Sequence, residues 1–298
     1  MYVIIGATGG VGAVIARSLL RSGHEVRVVG RSAERLRPLV EEGAAPFVVK
    51  SITDAETMVA AFDGATAAYT MAPPLSDDVS YEAVGRTMAA ALVRANVGYA
   101  VNLSALGADL GKAGGHTADY TDLERGFAAV EELNVLHLRP CLFMTSFYSW
   151  IGPIRKDGAV QGMLRGDLGV PRIASSDIAD VAVEALLALD FQGRATRELQ
   201  GQRDLSMDEA AAIIGREIGM GGLRYAEVSP EEWIDLQMRR FGRSRQAAER
   251  MNRMYVAWND GSIMRTAEKR SPSNTTPTRF ETFIREDFLP RYRAAAAE

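Results

Sequence analysis

Three glycines at intervals of three residues follow an apolar, β-branched run near the start of the chain. In the segment GATGGVG, Gly6, Gly9 and Gly12 separate that run from an amphipathic helical pattern. One glycine permits a tight turn, another lets a diphosphate approach the backbone, and another lets helix pack on strand. The amides that open the helix then face the phosphates, assisted by the helix dipole. The strand–turn–helix context favours a dinucleotide site over a loop that is only structural.

A cation at the end of the second predicted strand bears on which dinucleotide is bound. The segment VRVVGRS contains Arg31 and no Asp or Glu, the residue types that bond the ribose diol of NAD. An arginine in this place can clamp a 2′-phosphate through two parallel hydrogen bonds. We therefore expect NADP(H) to be favoured over NAD(H), with Ser32 and Arg35 assisting Arg31. The alternative is a solvated surface arginine.

Further candidate contacts lie at the ends of the fourth and fifth predicted strands, where the nicotinamide half of the cofactor is expected. The candidates are Met71, Ala72, Pro73 and Ser104. The prolines of YTMAPP, Pro73 and Pro74, either contact the cofactor or only stiffen a turn. The hydroxyl of Ser104 either holds a substrate oxygen or is buried and bonded to the backbone.

A tyrosine with a glutamate four residues later is the candidate for proton transfer. Tyr120 and Glu124 lie in HTADYTDLERGF (116–127), where a short-chain reductase has lysine four residues after its tyrosine. Without a cationic neighbour a tyrosine keeps a pKa near about 10, and a nearby carboxylate raises that pKa further. Tyr120 therefore either donates a hydrogen bond to substrate, as a weak catalytic candidate, or packs against the sheet. Glu124 is expected to pair on the helix rather than react.

These residues need a scaffold, and the first half of the chain alternates strand-like and helix-like segments. The predicted strands cover 2–6, 25–31, 45–51, 65–74, 99–107 and 135–144. The predicted helices cover 11–23, 32–43, 54–64, 81–98 and a segment near Tyr120 that ends at about 133. Strict alternation requires right-handed crossovers and a parallel sheet, with the ligand at the carboxyl ends of the strands. The fold class is therefore α/β, a Rossmann doubly wound parallel sheet.

The second half loses this alternation. Residues 174–190 predict a helix that packs back on the first domain, and a later helix begins at Ser206, with Glu209 completing a capping box. The aromatic run CLFMTSFYSWIG (141–152) offers stacking surfaces for a flat hydrophobic ligand, or else packs in the core. The glycine-rich segment 107–119 is either a lid or a surface loop.

Five segments together resemble the NmrA-like group: VIIGATGGVG, VRVVGRS, LHLRPCLFM, SSDIADVAVEAL and NTTPTRFETFI. This group comprises atypical short-chain dehydrogenase/reductase relatives, including NADPH-dependent quinone and dye reductases and cofactor-sensing regulators. The resemblance implies an NAD(P)-binding Rossmann domain over 1–150 and a smaller mixed C-terminal substrate lobe over 151–298. By the same resemblance the cofactor-binding residues are Gly6, Thr8, Gly9, Gly10, Val11, Gly12 and Arg31. The substrate pocket is expected to contain Tyr120, Phe143, Met144 and Phe147.

One departure from that group bears on the chemistry. Branches with a catalytic lysine place it about one helical turn before the equivalent of Glu124, where this chain has Tyr120. Hydride delivery to a quinone builds no strongly basic oxygen, so positioning alone suffices. The leading hypothesis is an NADPH-dependent oxidoreductase that reduces a small conjugated acceptor such as a quinone. The alternatives are a non-catalytic NADP(H)-binding redox sensor and a specialised biosynthetic reductase.

The composition limits the kinds of binding partner and the cellular compartment that we expect. A net charge of −4, with acidic and basic residues mixed along most of the chain, argues against a broad nucleic-acid surface. The one concentrated basic stretch, 239–250, is interpreted as a solvated helix face. Three scattered histidines and a single cysteine, Cys141, indicate no metal site and no intrachain disulfide. No apolar run approaches the roughly 18 residues of a membrane span, and the opening YVIIGATGG does not match a signal peptide. We expect a cytoplasmic monomer or homodimer that acts on a small molecule.

Overall fold

The computed structural model describes residues 1–73, 75 and 79–295, which fall into two compact units. Unit 1 comprises Met1–Ala108, Asp119–Pro140 and Ser175–Glu198, and unit 2 comprises Asp109–Ala118, Cys141–Ala174 and Leu199–Glu298. The units interleave along the chain, and the sequence-based division at residue 150 stays a prediction. Pro74, the second proline of YTMAPP, lies outside the described residues.

The regular elements are numbered in chain order. The strands are β1 (Tyr2–Ile5), β2 (Val26–Gly30), β3 (Ala45–Val48), β4 (Ala67–Thr70), β5 (Tyr99–Leu103), β6 (Asn134–Pro140), β7 (Leu142–Phe143), β8 (Val160–Gly162), β9 (Val170–Ile173), β10 (Arg194–Leu199), β11 (Asp204–Leu205) and β12 (Tyr225–Glu227). The first helices are α1 (Gly10–Arg21), α2 (Ala33–Glu41), α3 (Ala55–Phe62), α4 (Tyr81–Arg94), α5 (Thr117–Ala128), α6 (Ile151–Asp157) and α7 (Ser175–Ala188). The later helices are α8 (Met207–Glu217), α9 (Pro230–Phe241), α10 (Arg245–Asn259), α11 (Ser262–Thr266), α12 (Phe280–Phe283) and α13 (Leu289–Ala294).

Unit 1 is built on a seven-stranded sheet in the order β10-β6-β5-β4-β1-β2-β3. The pairs β1–β2, β2–β3, β1–β4, β4–β5 and β5–β6 are all parallel. Every residue of β4 is buried, as expected for a strand covered by helices on both faces. The strand order reverses between β1 and β4, which is where sheets of this kind bind their ligand. The Rossmann fold class and its six predicted strands are confirmed.

Three helices of unit 1 begin with the side-chain caps that their sequences favour. Ser32, Asp54 and Ser80 each accept a hydrogen bond, at 3.3 Å, from the backbone amide three residues later. Helix α2 continues through Pro38 to Glu41, although proline inside a helix removes a backbone hydrogen bond. Buried Leu36 and Leu39 on either side of the proline anchor the helix in spite of the lost hydrogen bond. Helix α1 differs, because its cap is glycine.

Unit 2 has smaller sheets and more helices. Its three-stranded sheet has the order β11-β9-β7, and β12 pairs in parallel with β8. Ser206 caps α8 as predicted by accepting from the backbone amide of Glu209, 3.1 Å away. Aromatic side chains make up much of the interior: Phe147 packs edge-on against Trp150 at 4.8 Å and lies 4.9 Å from Phe280. Core packing is therefore what the aromatic run at 141–152 does within this unit.

Candidate nucleotide-binding site

The glycine corner between β1 and α1 has the geometry that the sequence requires. Gly6 adopts a φ of +73°, and the Gly9 amide donates to the Gly6 carbonyl at 2.9 Å. A Cβ on Gly12 would lie 2.5 Å from that same carbonyl oxygen, closer than any side chain tolerates. The turn thus needs glycine at position 6 for its conformation and at position 12 for helix–strand contact.

Gly10 is different, because nothing in the fold demands a glycine there. A Cβ at this position would meet only the Ser175 side chain, with Oγ at an ordinary 3.5 Å. Gly9 and Gly10 are exposed at the start of α1, where the cap has no side-chain hydrogen bond and the first turn has no acidic residue. Bare amides at a helix N-terminus form a site for an anion such as a diphosphate. The buried Val11 anchors this turn in the core.

A cavity of about 260 Å³ opens beside this corner and is lined entirely by residues of unit 1. Six of the predicted cofactor contacts line it: Gly6, Thr8, Arg31, Ser32, Met71 and Pro73. Gly9, Gly10, Val11 and Gly12 lie in the adjoining turn rather than in the lining, and Ala72 is buried. The structure therefore brings the glycine corner, the end of β2 and the segment after β4 together at one opening.

The rim of this cavity is cationic. Arg31, Arg35 and Lys50 all line it, all are exposed, and none forms an ion pair within the described residues. No carboxylate is present among the described lining residues. Sequence reasoning missed Lys50, although its place near the end of the third predicted strand, as Arg31 is at the end of the second, was the signal that could have found it.

Beyond the cations, the lining combines hydroxyl groups with an apolar wall. Ser51 and Thr53 hydrogen-bond to each other through their hydroxyls at 2.7 Å. Ile52, Leu75 and Val79 add apolar surface to the same opening. An apolar wall beside a few polar groups is typical of small-molecule sites, and here it suits a flat base next to a phosphate.

A buried polar network occupies the carboxyl ends of β5 and β6, next to β4. Thr70 donates to the Asn102 carbonyl oxygen at 3.1 Å, and the Asn102 amide lies 3.1 Å from Nδ1 of His137. Burial lowers the pKa of His137 to about 4, so its ring is neutral at neutral pH. These buried groups satisfy one another.

Glu124 belongs to a second, adjacent set of polar contacts. Arg139 donates to both of its carboxylate oxygens, at 3.0 and 2.7 Å, and the Ser104 hydroxyl donates to Oε1 at 2.5 Å. Burial raises the pKa of Glu124, but the hydrogen bonds from Arg139 and Ser104 outweigh burial and leave the pKa below its usual value. Glu124 is thus an ion-pair partner. Of the two alternatives for Ser104, the hydroxyl is buried, but it is bonded to this carboxylate rather than to the backbone.

Tyr120 lies against the hydrophobic core of unit 1, and it does not line the cavity. Its ring packs 6.3 Å from that of Tyr81. Its pKa is raised above the usual range by burial first, and then by Tyr81 and Asp119. The expectation that Glu124 would raise this pKa is wrong, because Arg139 holds that carboxylate.

The predicted substrate-pocket residues of the aromatic run belong to unit 2. Phe143 is half-buried on β7, whereas Met144 and Phe147 are each 2% exposed. The nucleotide cavity is lined by none of them. Cys141 is buried and burial raises its thiol pKa to about 12, as befits a small apolar residue rather than a nucleophile.

Comparison with known proteins agrees with this site. Residues 6–136, which contain the glycine corner and all of the cavity lining except Ile5, match the family described as NAD(P)H-binding. The chain is similar to this family over that segment, which is less than half of its length. No curated protein matches it by sequence.

Solved structures with the same fold cover nearly the whole chain. A NADPH-dependent quinone oxidoreductase of Escherichia coli, complexed with NADPH, has a TM-score of 0.80 at 18% identity, covering 97% of this chain and all of that one. A triphenylmethane reductase of Citrobacter sp., complexed with NADP(H), has a TM-score of 0.78 at 18% identity, covering 96% and 99%. NmrA, a negative transcriptional regulator in complex with NADP, has a TM-score of 0.77 at 16% identity, covering 99% and 97%. Reductases and a regulator thus share this fold.

No described helix combines the length and apolarity needed to cross a bilayer. In the same residues, no group of three or more His, Cys, Asp or Glu side chains is arranged to hold a metal ion.

Proposed function

We propose that this protein is an NADPH-dependent oxidoreductase that delivers hydride to a small conjugated acceptor such as a quinone. The observation that carries the cofactor assignment is the cationic rim of the cavity: Arg31, Arg35 and Lys50, without carboxylate partners among the described residues. A 2′-phosphate beside the adenine ribose would meet this rim, whereas the ribose diol of NAD gains nothing from it.

Different residues around the cavity would bind different parts of the cofactor. Gly6 and Gly12 shape the turn, and the exposed amide of Gly10 at the start of α1 would face the diphosphate. Arg31 offers a planar fork to the 2′-phosphate, and Lys50 and Arg35 add point charge. Bound NADPH supplies the hydride. The protein supplies position and orientation, which is the larger part of catalysis where no strong acid is required.

The choice of acceptor rests on the polar groups of unit 1. Tyr120 is packed in the core, and Glu124 and Ser104 are bonded to each other and to Arg139. None of these three groups is a tuned proton donor of the kind that ketone reduction needs. A quinone or a delocalised cation accepts hydride without forming a strongly basic alkoxide, so it matches a site of this composition.

The cofactor assignment is tested by substitution of the rim, with Arg37 as a matched control. Arg37 is an exposed arginine of α2 that does not line the cavity and pairs with Glu41 at 3.9 Å. Arg31→Ala is expected to weaken NADPH binding by about 10- to 100-fold, the loss of charge-assisted hydrogen bonds. NADH binding should change far less, and Arg37→Ala should leave both unchanged. Equal losses for the two nucleotides in Arg31→Ala would refute the 2′-phosphate assignment.

The catalytic assignment needs a separate experiment, because the same fold also occurs in a regulator. Oxidation of NADPH by a panel of quinones should be measurable by the loss of absorbance of the reduced nicotinamide. A protein that quenches NADPH fluorescence on binding but oxidises no NADPH with any quinone would instead be a redox sensor. Activity confined to one elaborate acceptor would favour the specialised biosynthetic reductase.

A further inference from the structure

Unit 2 contains a buried guanidinium without a carboxylate partner. Arg172 stands on β9, the middle strand of the three-stranded sheet, and is 4% exposed. Its Nη2 donates to Sδ of Met207 at 3.4 Å, and its Nε is buried without an acceptor in the described part of the chain. Thioether sulfur is a weak acceptor, so most of this positive charge is uncompensated.

Aromatic side chains surround the guanidinium. Its Cζ lies 5.1 Å from the centre of the Phe147 ring, within the range of a cation–π contact. Trp150 packs edge-on against Phe147 at 4.8 Å and stacks on Tyr225 at 5.8 Å. The electrostatic neighbours of Arg172 are Tyr255, Cys141 and Tyr225 rather than an acidic residue. The surroundings are therefore flat, polarisable and neutral.

Two tryptophans of unit 2 also have buried indole nitrogens. The indole nitrogen of Trp233, whose ring packs 5.4 Å from Tyr255, is buried and has no acceptor among the described residues. The indole nitrogen of Trp258, one turn after Tyr255 on α10, is in the same condition. A bound acceptor, water included, would satisfy donors of this kind.

The guanidinium of Arg172 carries a buried positive charge. A buried charge that lacks a partner costs several kcal/mol, and folds retain such groups chiefly where a ligand uses them. Burial lowers the pKa of Arg172 to about 10, so the group remains protonated at neutral pH. Its planar fork matches the two oxygens of a carboxylate. Tyr225 and Tyr255, two of its electrostatic neighbours, are half-buried.

We propose that unit 2 binds a planar aromatic carboxylate, with its two oxygens on Arg172 and its ring against the surrounding aromatic side chains. This inference goes beyond the proposed function. The residues concerned all belong to unit 2, whereas the nucleotide cavity is lined by unit 1. The two assignments can therefore fail separately.

Calorimetry on the full chain without nucleotide tests the proposal, with 2-naphthoate as the probe. The wild type is expected to bind 2-naphthoate, and Arg172→Met to weaken that binding by at least about tenfold, since a charge-assisted bond is lost. Arg172→Lys keeps the charge without the planar fork and should fall between them. Arg216→Met, which removes an exposed arginine of α8, should bind as the wild type does.

Three results would overturn the proposal. The first is no binding of 2-naphthoate by the wild type, and the second is equal binding by Arg172→Met. The third is equally tight binding of neutral 2-naphthamide or of inorganic phosphate, which would remove the carboxylate or the aromatic ring from the assignment. NADPH fluorescence titration of each variant verifies that unit 1 is intact, and Arg172→Lys serves if Arg172→Met does not fold.

Discussion

Arg139 in unit 1 and Arg172 in unit 2 both stand on strands and both bury most of their side chains. Arg139 reaches a carboxylate through two hydrogen bonds, with Glu124 oxygens at 3.0 and 2.7 Å. Arg172 has a thioether, an aromatic face and an unbonded Nε. Arg139 has its carboxylate acceptor within the protein. No carboxylate among the described residues accepts a hydrogen bond from Arg172. The contrast separates a charge that stabilises a fold from one that is available to a ligand.

Breaking the complete pair should give the largest effect. Glu124→Ala leaves the Arg139 guanidinium and the Ser104 hydroxyl without their acceptor. The free energy of unfolding should fall by about 3 kcal/mol, the low end for buried pairs, because the two side chains keep 16% and 14% exposure. Urea unfolding measures this loss. The double variant Glu124→Leu with Arg139→Met should lose less than Glu124→Ala alone; a larger loss would mean that packing, not charge, governs this site.

Acid should disturb the same part of unit 1 through His137. Its pKa is about 4 in the fold and 6.5 in the unfolded chain, so the unfolded state binds more protons between these values. Stability is therefore fully present above pH 6.5 and declines as the pH falls toward 4, by roughly 3 kcal/mol in total. Glu124, whose pKa is lowered, adds a further loss as its carboxylate protonates at still lower pH.

The measurement is the urea midpoint at a series of pH values from 7 to 4. His137→Gln keeps an acceptor for Asn102 and removes the titrating ring, so its midpoint should vary much less over this range. A variant that retained the whole decline would show that another group, and not His137, carries it.

Local patterns predicted what depends on neighbours in sequence. The glycine spacing of GATGGVG predicted the turn at Gly6 and Gly12, because both requirements arise within one strand–turn–helix unit. The alternation of apolar runs predicted the six strands of the parallel sheet for the same reason. The caps at Ser32 and Ser206 depend on an amide three residues away, so they too can be predicted from the local sequence.

Partnerships across the sheet were beyond sequence reasoning. Nothing local tells Arg139, in LRP, from Arg172, in VPRI, since each arginine stands beside a proline in an apolar run. Their difference depends on whether a distant helix presents a carboxylate, as α5 does with Glu124. Lys50 was missed for a related reason, because only the parallel pairing of β3 beside β2 brings it to the cavity that Arg31 lines.

Removal of the unpartnered charge of Arg172 should raise the free energy of unfolding, whereas breaking the Glu124–Arg139 pair lowers it. Arg172→Met replaces a buried guanidinium with an apolar side chain of similar length beside Met207. The free energy of unfolding of the unliganded protein should rise by about 1–2 kcal/mol, because a buried charge is exchanged for packed apolar atoms. Urea unfolding in the absence of ligands measures the change, with Arg139→Met as the contrasting variant that should be destabilised. Destabilisation of both variants to the same extent would show that Arg172 is structural.

The smallest effect should come from a pair with the same geometry at the surface. Arg94 donates to both oxygens of Glu56, each at 2.9 Å, but the two side chains are 49% and 78% exposed. Solvent screens such a pair, and the entropy of holding two long side chains offsets most of the attraction. Glu56→Gln should therefore leave the urea midpoint within replicate error, whereas Glu124→Gln lowers it clearly. If both substitutions lowered it equally, bond geometry rather than burial would set the strength of these pairs, and the contrast between Arg139 and Arg172 would lose its physical basis.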